Sequence, residues 1–320
     1  MYQVNESKDT HPEELDLFAT PPTQGAYEKV QWVDYRPVSQ LKEYAPVEFV
    51  IPASGSQYLN LNQTYLSVKV KVVAPDGSAL NIDDKVGSVN LTLHSLWNQV
   101  DVLVQQKLIS SSTNNYAYKA LMETLLSYDT NTKNSRLQTE GFYKDTAGLM
   151  DEANPVDGGN DGLAQRFILT LNSREADFIG PLHADFFQQN RLLLNGVEVQ
   201  VKLWPARPAF TLMTADENKA YRIVVTEAIL KVCQIQLNPS VSLAHAELLA
   251  LTPAKYPFER TDIKTFNIPS GSYHFRAEDL YQGAVPSQLI LGLVKSEAYN
   301  GSYQLNPYNF IHANCNFVAV

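Results

Sequence analysis

Apolar and polar residues alternate along most of this chain, which is the pattern of β-strands with one buried face. The clearest run covers residues 65–73, in which every second residue is leucine or valine. Further strands are predicted at residues 47–51, 99–107, 166–171, 191–204 and 221–237. Within the fourth of these, Asn195-Gly196 predicts either a type I′ hairpin turn or a bulge in one long strand.

Two segments have helical periodicity instead. Between residues 115 and 128, Tyr118, Leu121 and Leu125 fall on one helical face, and a second, short helix is predicted at residues 239–251. A parallel α/β sheet needs a helix after nearly every strand. Two helices among many short strands therefore predict an all-β fold of antiparallel sandwiches or barrels.

The strand pattern begins again after Pro253, which indicates a second sandwich. Strands are predicted at residues 266–268, 288–294 and 315–320. The stretch FVIPASGS at residues 49–56 and FNIPSGS at residues 266–272 form a short repeat, as a duplicated domain would produce. Because a jelly-roll sandwich uses about eight strands, we expect the second sandwich to be truncated and less stable than the first.

These patterns divide the chain into four regions. Residues 1–45 are polar with few apolar periodicities, which predicts an N-terminal arm. Residues 46–238 are predicted to form the first sandwich, residues 239–257 a helical linker, and residues 258–320 the start of the second sandwich.

Composition narrows the classes of function. Of the 320 residues, 44% are hydrophobic and 18% are charged, which is a composition that can bury large cores. The 34 acidic and 25 basic residues give a formal charge of −9, so we expect no tight, sequence-specific binding of nucleic acid by one subunit. No run approaches the roughly 18 apolar residues of a membrane span. Cys233 and Cys315 are isolated, which predicts no disulfide framework and synthesis in a reducing compartment.

Candidate metal ligands are few and poorly spaced. Residues 157–162 (DGGNDG) resemble a calcium loop but lack the EF-hand spacing and tandem copies, so a surface loop is predicted. The histidines show no zinc spacing, so each is interpreted as an ordinary hydrogen-bonding or surface residue, although folding could bring some together. They are His11, His94, His183, His245, His274 and His312.

Catalytic patterns are equally weak. Ser54-Gly55-Ser56 and Ser270-Gly271-Ser272 do not match a serine-hydrolase elbow and are interpreted as turns. Cys233 lies in an alternating strand, and Glu123, Asp177 and Asp185 lack an evident acid–base partner in the sequence. The sequence therefore predicts a protein that is not an enzyme, with no catalytic, cofactor-binding or metal residues and no cofactor.

Three stretches of the chain carry a resemblance to a known family. They are residues 93–102 (LHSLWNQVDV) with the helix that follows, residues 180–187 (GPLHADFF) leading into 191–197 (RLLLNGV), and residues 300–310 (NGSYQLNPYNF). Their order and spacing resemble double jelly-roll major capsid proteins, in particular those of Polinton/Maverick elements and adintoviruses, including copies in invertebrate genomes. The resemblance spans about residues 45–320.

The resemblance implies a fold and a role. Each subunit would contain two tandem jelly rolls with a few short helices, and three subunits would form a pseudo-hexameric capsomer that tiles an icosahedral shell. The implied partners are other copies of the chain, neighbouring capsomers, and penton or minor capsid proteins. The implied location is the virion capsid, after synthesis in the host cytoplasm or nucleus. Family members usually continue beyond the NPYNF stretch, whereas this chain stops at Val320.

Two other functions remain open at this point. A β-sandwich carbohydrate-binding or adhesion module would display exposed aromatic platforms, but Trp32, Trp97 and Trp204 are few and lie in predicted strands or close to them. A sandwich hydrolase would need paired catalytic motifs, which the sequence lacks.

Overall fold

The computed structural model describes residues 15, 17–18, 20, 23–110, 114–216, 220–278, 280 and 285–319. Within this part of the chain, the strands are β1 (Tyr27–Tyr35), β2 (Val47–Ile51), β3 (Gln57–Val73), β4 (Val86–Ser88), β5 (Trp97–Val104), β6 (Lys107–Leu108), β7 (Ala176–Pro181), β8 (Val199–Pro205), β9 (Leu212–Thr214) and β10 (Arg222–Leu237). The α-helices are α1 (Thr92–Ser95), α2 (Tyr116–Ser127), α3 (Thr130–Lys133), α4 (Asp161–Thr170), α5 (Pro208–Thr211), α6 (Pro239–Leu249) and α7 (Ser296–Asn300). Short 3-10 turns lie at Arg136–Glu140, Leu171–Ser173 and Asp185–Phe187.

Eight of the strands build two four-stranded sheets, with the orders β1-β10-β3-β7 and β2-β8-β5-β6. Every neighbouring pair is antiparallel. The pairing is nested along the chain: β1 pairs with β10, β2 with β8, β3 with β7, and β5 with β6. A long hairpin folded over in this way is an eight-stranded jelly roll. Strands β4 and β9 form a separate two-stranded sheet.

The predicted all-β class with a few short helices is confirmed. Strand β2 has the predicted bounds, β3 extends the alternating run at residues 65–73 back to Gln57, and β10 covers nearly all of the predicted strand at residues 221–237. Helices α2 and α6 also form where helical periodicity predicted them. Of the predicted strand at residues 191–204, only the part from Val199 onward forms β8, and Gly196 lies in the preceding turn with φ of +75°.

The core of the jelly roll lies between the two sheets. Alternate residues of β3, including Leu66, Val68 and Val70, meet Phe49 of β2 and Val201 of β8 across this space. All are buried. Burial of about 25 cal/mol per Å² of apolar surface is the main stabilising term for a sandwich of this kind. The alternation that the sequence shows is therefore the direct signature of this core.

The predicted arm at residues 1–45 is too long. Residues 27–35 form β1, an edge strand of the first sheet that pairs with β10 from Tyr27–Leu237 to Tyr35–Leu230. Most β1 side chains remain exposed. The strand is held by main-chain hydrogen bonds and by polar side-chain bonds such as that of Lys231 with Asp34, so it leaves little apolar alternation in the sequence. Residues 1–14, 16, 19, 21 and 22 lie outside the described residues.

The strand predicted at residues 166–171 is wrong, because residues 161–170 form helix α4. The Asn160 side chain accepts a hydrogen bond from the Leu163 N–H at the start of the helix, as an N-cap does. Leu163, Arg166, Phe167 and Thr170 are buried at helical spacing. The inward position of a charged residue, Arg166, hid this periodicity.

No strand forms among the described residues after β10, so the strands predicted at residues 266–268, 288–294 and 315–319 are wrong for this structure. Val320 lies outside the described residues. The segment instead docks on the jelly roll at a few points. Tyr308 is buried edge-to-face against Tyr118 of α2, with ring centroids 5.7 Å apart, and the Tyr118 hydroxyl donates to the Pro307 carbonyl at 3.0 Å. A strand needs partners for its main-chain groups along its length. The described residues of this segment make only scattered main-chain hydrogen bonds, such as that from Thr214 N–H of β9 to Tyr303 O at 2.8 Å.

Limited trypsin digestion is expected to cut the chain after Pro253 first. Arg260, Lys264 and Arg276 are exposed on irregular backbone, where a protease can extend the chain without opening a sheet. Lys69 and Lys71 lie within β3, which pairs on both sides. Mass spectrometry of the earliest fragments would identify the first cleavage sites. Early cuts in β3 with residues 254–319 intact would contradict this expectation.

Among the described residues, helices are all too short or too polar to cross a lipid bilayer.

A candidate functional site beside the jelly roll

A buried polar cluster lies where four separate segments meet beside the jelly roll. His94 belongs to α1, Tyr116 begins α2, Glu140 ends a 3-10 turn, and His183 follows β7. The exposed fractions of His94, Glu140 and His183 are 0%, 2% and 5%. Polar groups at this depth need hydrogen-bond partners or a bound ion.

His94 is held through both ring nitrogens. Its Nε2 lies 3.1 Å from Glu140 Oε2, and its Nδ1 lies 3.0 Å from the Tyr116 hydroxyl. The same hydroxyl accepts from the backbone N–H of His183 at 3.3 Å. Burial lowers the pKa of His94 below its ordinary value, although the hydrogen bond to Glu140 acts in the opposite direction.

His183 is held through one ring nitrogen. Its Nδ1 lies 2.7 Å from Glu123 Oε2, which also accepts from Gln188 Nε2 at 2.9 Å. Burial acts to raise the pKa of Glu123, but the hydrogen bond and charge of His183, together with Lys119 and Gln188, hold this pKa below its ordinary value. The other nitrogen, His183 Nε2, is buried and has no hydrogen-bond partner among the described residues.

An outer layer of charge surrounds these groups. Lys119 lies 3.7 Å from Glu123 Oε1 and also pairs with Asp185. The two imidazole rings of His94 and His183 meet edge to face, with centroids 4.6 Å apart. The arrangement is a closed network with the two histidines at its centre and carboxylates on both sides.

Two glycines allow the backbone on either side of Glu140 to pack closely against neighbouring side chains. A Cβ at Gly180 of β7 would lie 2.5 Å from Glu140 Cγ, so the strand passes close to this side chain only because Gly180 has none. Gly141, directly after Glu140, has φ of +77°, and a Cβ there would lie 2.7 Å from Cβ of Thr92 in α1. Close packing at both positions therefore fixes where Glu140 lies.

The substitution Gly141→Ala is expected to destabilise the protein more than Gly148→Ala. Both glycines have positive φ, +77° and +82°, so alanine is strained at either position. Only at Gly141 does the new Cβ also overlap α1. This overpacking should lower the free energy of unfolding by about a further 1–3 kcal/mol. Chemical denaturation of both variants would measure the difference. Equal loss of stability in the two would show that the contact between Gly141 and Thr92 is looser than the structure indicates.

Only part of this cluster could be predicted from the sequence. His94 and His183 are distant in the chain and show no zinc spacing, so their proximity depends entirely on the fold. Glu123 and Asp185, which lacked an evident partner in the sequence, both join the outer layer of the cluster. Asp177 does not: it lies on β7 opposite Lys69 of β3.

The other predicted candidates lie elsewhere. His245 Nδ1 contacts the Tyr58 hydroxyl at 3.1 Å, and His274 and His312 are exposed. His11 lies outside the described residues. Cys233 and Cys315 are both free thiols, the first buried and the second exposed.

The loop that resembled a calcium site has other contacts. Asp157 pairs with Lys85 at 2.8 Å, and Asn160 caps α4. The Lys85 amino group lowers the pKa of Asp157 below its ordinary value. These contacts use oxygens that a calcium ion would need. The predicted surface loop at residues 157–162 is too long, because Asn160 is buried and Asp161 and Gly162 already belong to α4.

A second buried polar site was not found from the sequence. Arg166 of α4 is fully buried and donates to Ser88 O at 2.7 Å, Tyr143 O at 2.6 Å and Asp145 Oδ1 at 2.6 Å. The other Asp145 oxygen accepts from Asn306 Nδ2 at 3.1 Å. This ion pair joins α4, β4 and the segment after α7, so its role is to hold parts of the fold together.

Exposed apolar surface is concentrated beyond the jelly roll. No residue of α6 is buried, and Leu243, Leu248 and Leu249 are 62%, 57% and 43% exposed. The segment that follows has further exposed apolar side chains, which are Phe266, Ile268, Tyr273, Phe275, Leu289, Ile290 and Leu291. Apolar surface of this extent is typical of contact regions between proteins or domains.

Comparison with known proteins gives distant similarities. No family model matches the chain. An uncharacterised protein of Caenorhabditis elegans, F54H12.2, is 27% identical over 300 residues, which cover 91% of this chain and 69% of that protein.

Viral major capsid proteins are among the solved structures that match the chain. In the cryo-EM structure of the Sputnik virophage, the matched chain is 11% identical with a TM-score of 0.46, covering 73% of this chain and 53% of that one. The Faustovirus major capsid protein is 9% identical with a TM-score of 0.44, covering 72% and 58%. The mavirus major capsid protein is 14% identical with a TM-score of 0.36, covering 75% and 54%. The chain thus spans little more than half the length of these proteins.

Proposed function

We propose that this chain is a structural capsid protein of the double jelly-roll class, related to those of Polinton/Maverick elements and adintoviruses, and that it has no catalytic role. The observation that carries the proposal is the complete nesting of four strand pairs, from β1 with β10 inward to β5 with β6. A sandwich closed in this way is a rigid wall that needs no cofactor. The order of the three sequence stretches at residues 93–102, 180–197 and 300–310 supports the same class.

In this proposal, three subunits form a pseudo-hexameric capsomer, and capsomers tile an icosahedral shell. Each subunit supplies the jelly roll described above and, after the linker at residues 239–257, a second roll that begins at residues 258–320. The exposed leucines of α6 and the apolar side chains at residues 266–291 support this arrangement. Contacts repeated around a three-fold axis would cover such surfaces.

The proposed partners follow from this assembly. They are two further copies of the chain in one trimer, neighbouring capsomers, and penton or minor capsid proteins. The net charge of −9 argues against a sequence-specific nucleic-acid partner. The proposed location is the virion capsid, reached after synthesis in the host cytoplasm or nucleus.

Light scattering of the purified chain tests the trimer. We expect a mass three times the 35.8 kDa of one chain at micromolar concentration. A stable monomer under these conditions would count against the capsomer. The alternative, a carbohydrate-binding or adhesion module, predicts instead a monomer that binds defined sugars on a glycan array.

A further inference from the structure

We propose that His94, Glu140 and His183 bind one Zn²⁺ ion, which joins three segments beside the jelly roll. This site goes beyond the proposed capsid role and does not depend on it. Each of the three residues offers a ligand atom, and these atoms lie within 4.8 Å of one another. Two imidazoles and one carboxylate are a ligand set that zinc accepts.

One of the three ligand–ligand distances already matches that of a loaded site. Zinc bonds to nitrogen and oxygen of about 2.0–2.2 Å place neighbouring tetrahedral ligands roughly 3.3 Å apart. His94 Nε2 and Glu140 Oε2 are already 3.1 Å apart. All three ligand atoms lie within 4.8 Å of one another, so contraction of the widest pair by at most about 1.5 Å would complete the set, with a water as the fourth ligand.

The protonation of His183 favours a metal ion. Its Nδ1 lies 2.7 Å from Glu123 Oε2, and an ionised carboxylate only accepts hydrogen bonds, so Nδ1 carries the proton. Zinc would bind the neutral form of the ring, in which the lone pair is on Nε2; this atom is buried and unpartnered among the described residues. A carboxylate that orients a histidine in this way is the usual support of a zinc-bound imidazole.

His94 can change tautomer to bind the same ion. Without zinc, its Nε2–H donates to Glu140 and its Nδ1 accepts from the Tyr116 hydroxyl. When zinc binds Nε2, that proton is lost and Nδ1 takes one up, so no net proton leaves the ring. The Tyr116 O–H hydrogen then turns away from His94, and Nδ1–H donates to the Tyr116 oxygen, which already accepts from His183 N–H and has a second lone pair.

The burial of the ligands makes the ion structural. With His94 fully buried and Glu140 and His183 nearly so, the site is closed to a substrate. The ion would tie α1, the turn at Arg136–Glu140 and the residues after β7 to one another. Because zinc binds the folded chain, it should raise the thermal unfolding temperature.

The test is a titration of the full chain, first stripped with a chelator, with Zn²⁺ alone. We expect one zinc per chain by mass spectrometry of the metal and a higher thermal unfolding temperature. The variant His183→Gln should lose both effects. The matched variant His274→Gln removes an exposed histidine and should retain them.

A milder variant covers the case in which His183→Gln fails to fold. Glu123→Gln keeps the size of the side chain and removes only the charge that orients His183, so zinc affinity should fall about 10- to 100-fold. Replacement of zinc by Co²⁺ in the unaltered protein should give the visible absorption of a tetrahedral site. Failure of the stripped chain to take up one Zn²⁺, or an unchanged zinc affinity of Glu123→Gln, would overturn the proposal.

Discussion

The substitution Arg166→Met is expected to lower the free energy of unfolding by about 3–5 kcal/mol. Arg166 is fully buried, and its guanidinium satisfies the Asp145 carboxylate and the carbonyls of Ser88 and Tyr143. Methionine fills much of the same volume but donates no hydrogen bond. The buried carboxylate would then lose its charge partner while remaining out of water, which is the costly half of breaking a buried ion pair.

The matched control is Arg276→Met. The Arg276 side chain is 78% exposed and pairs with Glu278, which is 71% exposed. A surface pair of this kind contributes little to stability, so Arg276→Met should change the free energy of unfolding by no more than about 0.5 kcal/mol. Midpoints of urea denaturation would compare the two. Similar midpoints for both variants would mean that water reaches Asp145, and that the pair does not join α4 to β4.

The substitution Phe49→Ala is expected to have the second largest effect, with a loss of about 3–5 kcal/mol. Phe49 is fully buried on β2, opposite Val201 of β8, and packs in the core between the two sheets. Removal of the ring leaves a cavity that the sheets can close only in part, because their strands are fixed by main-chain hydrogen bonds.

Phe317→Ala is the control for this core. Phe317 is 79% exposed, so the same atoms are removed without leaving a cavity, and the change should be within about 0.5 kcal/mol. Denaturation monitored by circular dichroism reports on both. A small effect at Phe49, equal to that at Phe317, would contradict a core packed between the sheets β1-β10-β3-β7 and β2-β8-β5-β6.

The sequence predicted the parts of the fold in which one face is buried and the other exposed. Strands β2 and β3 and helix α2 have this property, so their periodicity is visible in the order of residues. Strand β1 does not, because its side chains are mostly exposed and it is joined to β10 by main-chain hydrogen bonds and by polar side chains such as Gln31 and Asp34. Pairing of that kind leaves no trace in a hydrophobic pattern.

The errors elsewhere have the same physical basis. Helix α4 was predicted as a strand because a charged residue, Arg166, lies on its buried face, where its charge is balanced by Asp145. The segment after Pro253 has strand-like composition, but composition does not supply the neighbouring strand that pairing needs. Whether residues 258–320 begin a second roll stays a prediction.

The buried cluster shows the limit of spacing as a guide to sites. His94, Glu140 and His183 come from a helix, a turn and a loop, and no local motif connects them. Glu123 and Lys119 lie one helical turn apart on α2, so their ion pair follows from the sequence. The contact of Glu123 with His183 does not, because it requires the chain to return along β7 beside β3.

Electron microscopy of the purified chain tests the central claim most directly. A capsid protein of the double jelly-roll class is predicted to give trimeric capsomers with pseudo-six-fold outlines, or shells assembled from them. A field of uniform single chains of 35.8 kDa, with neither capsomers nor shells at any protein concentration tried, would contradict the capsid assignment.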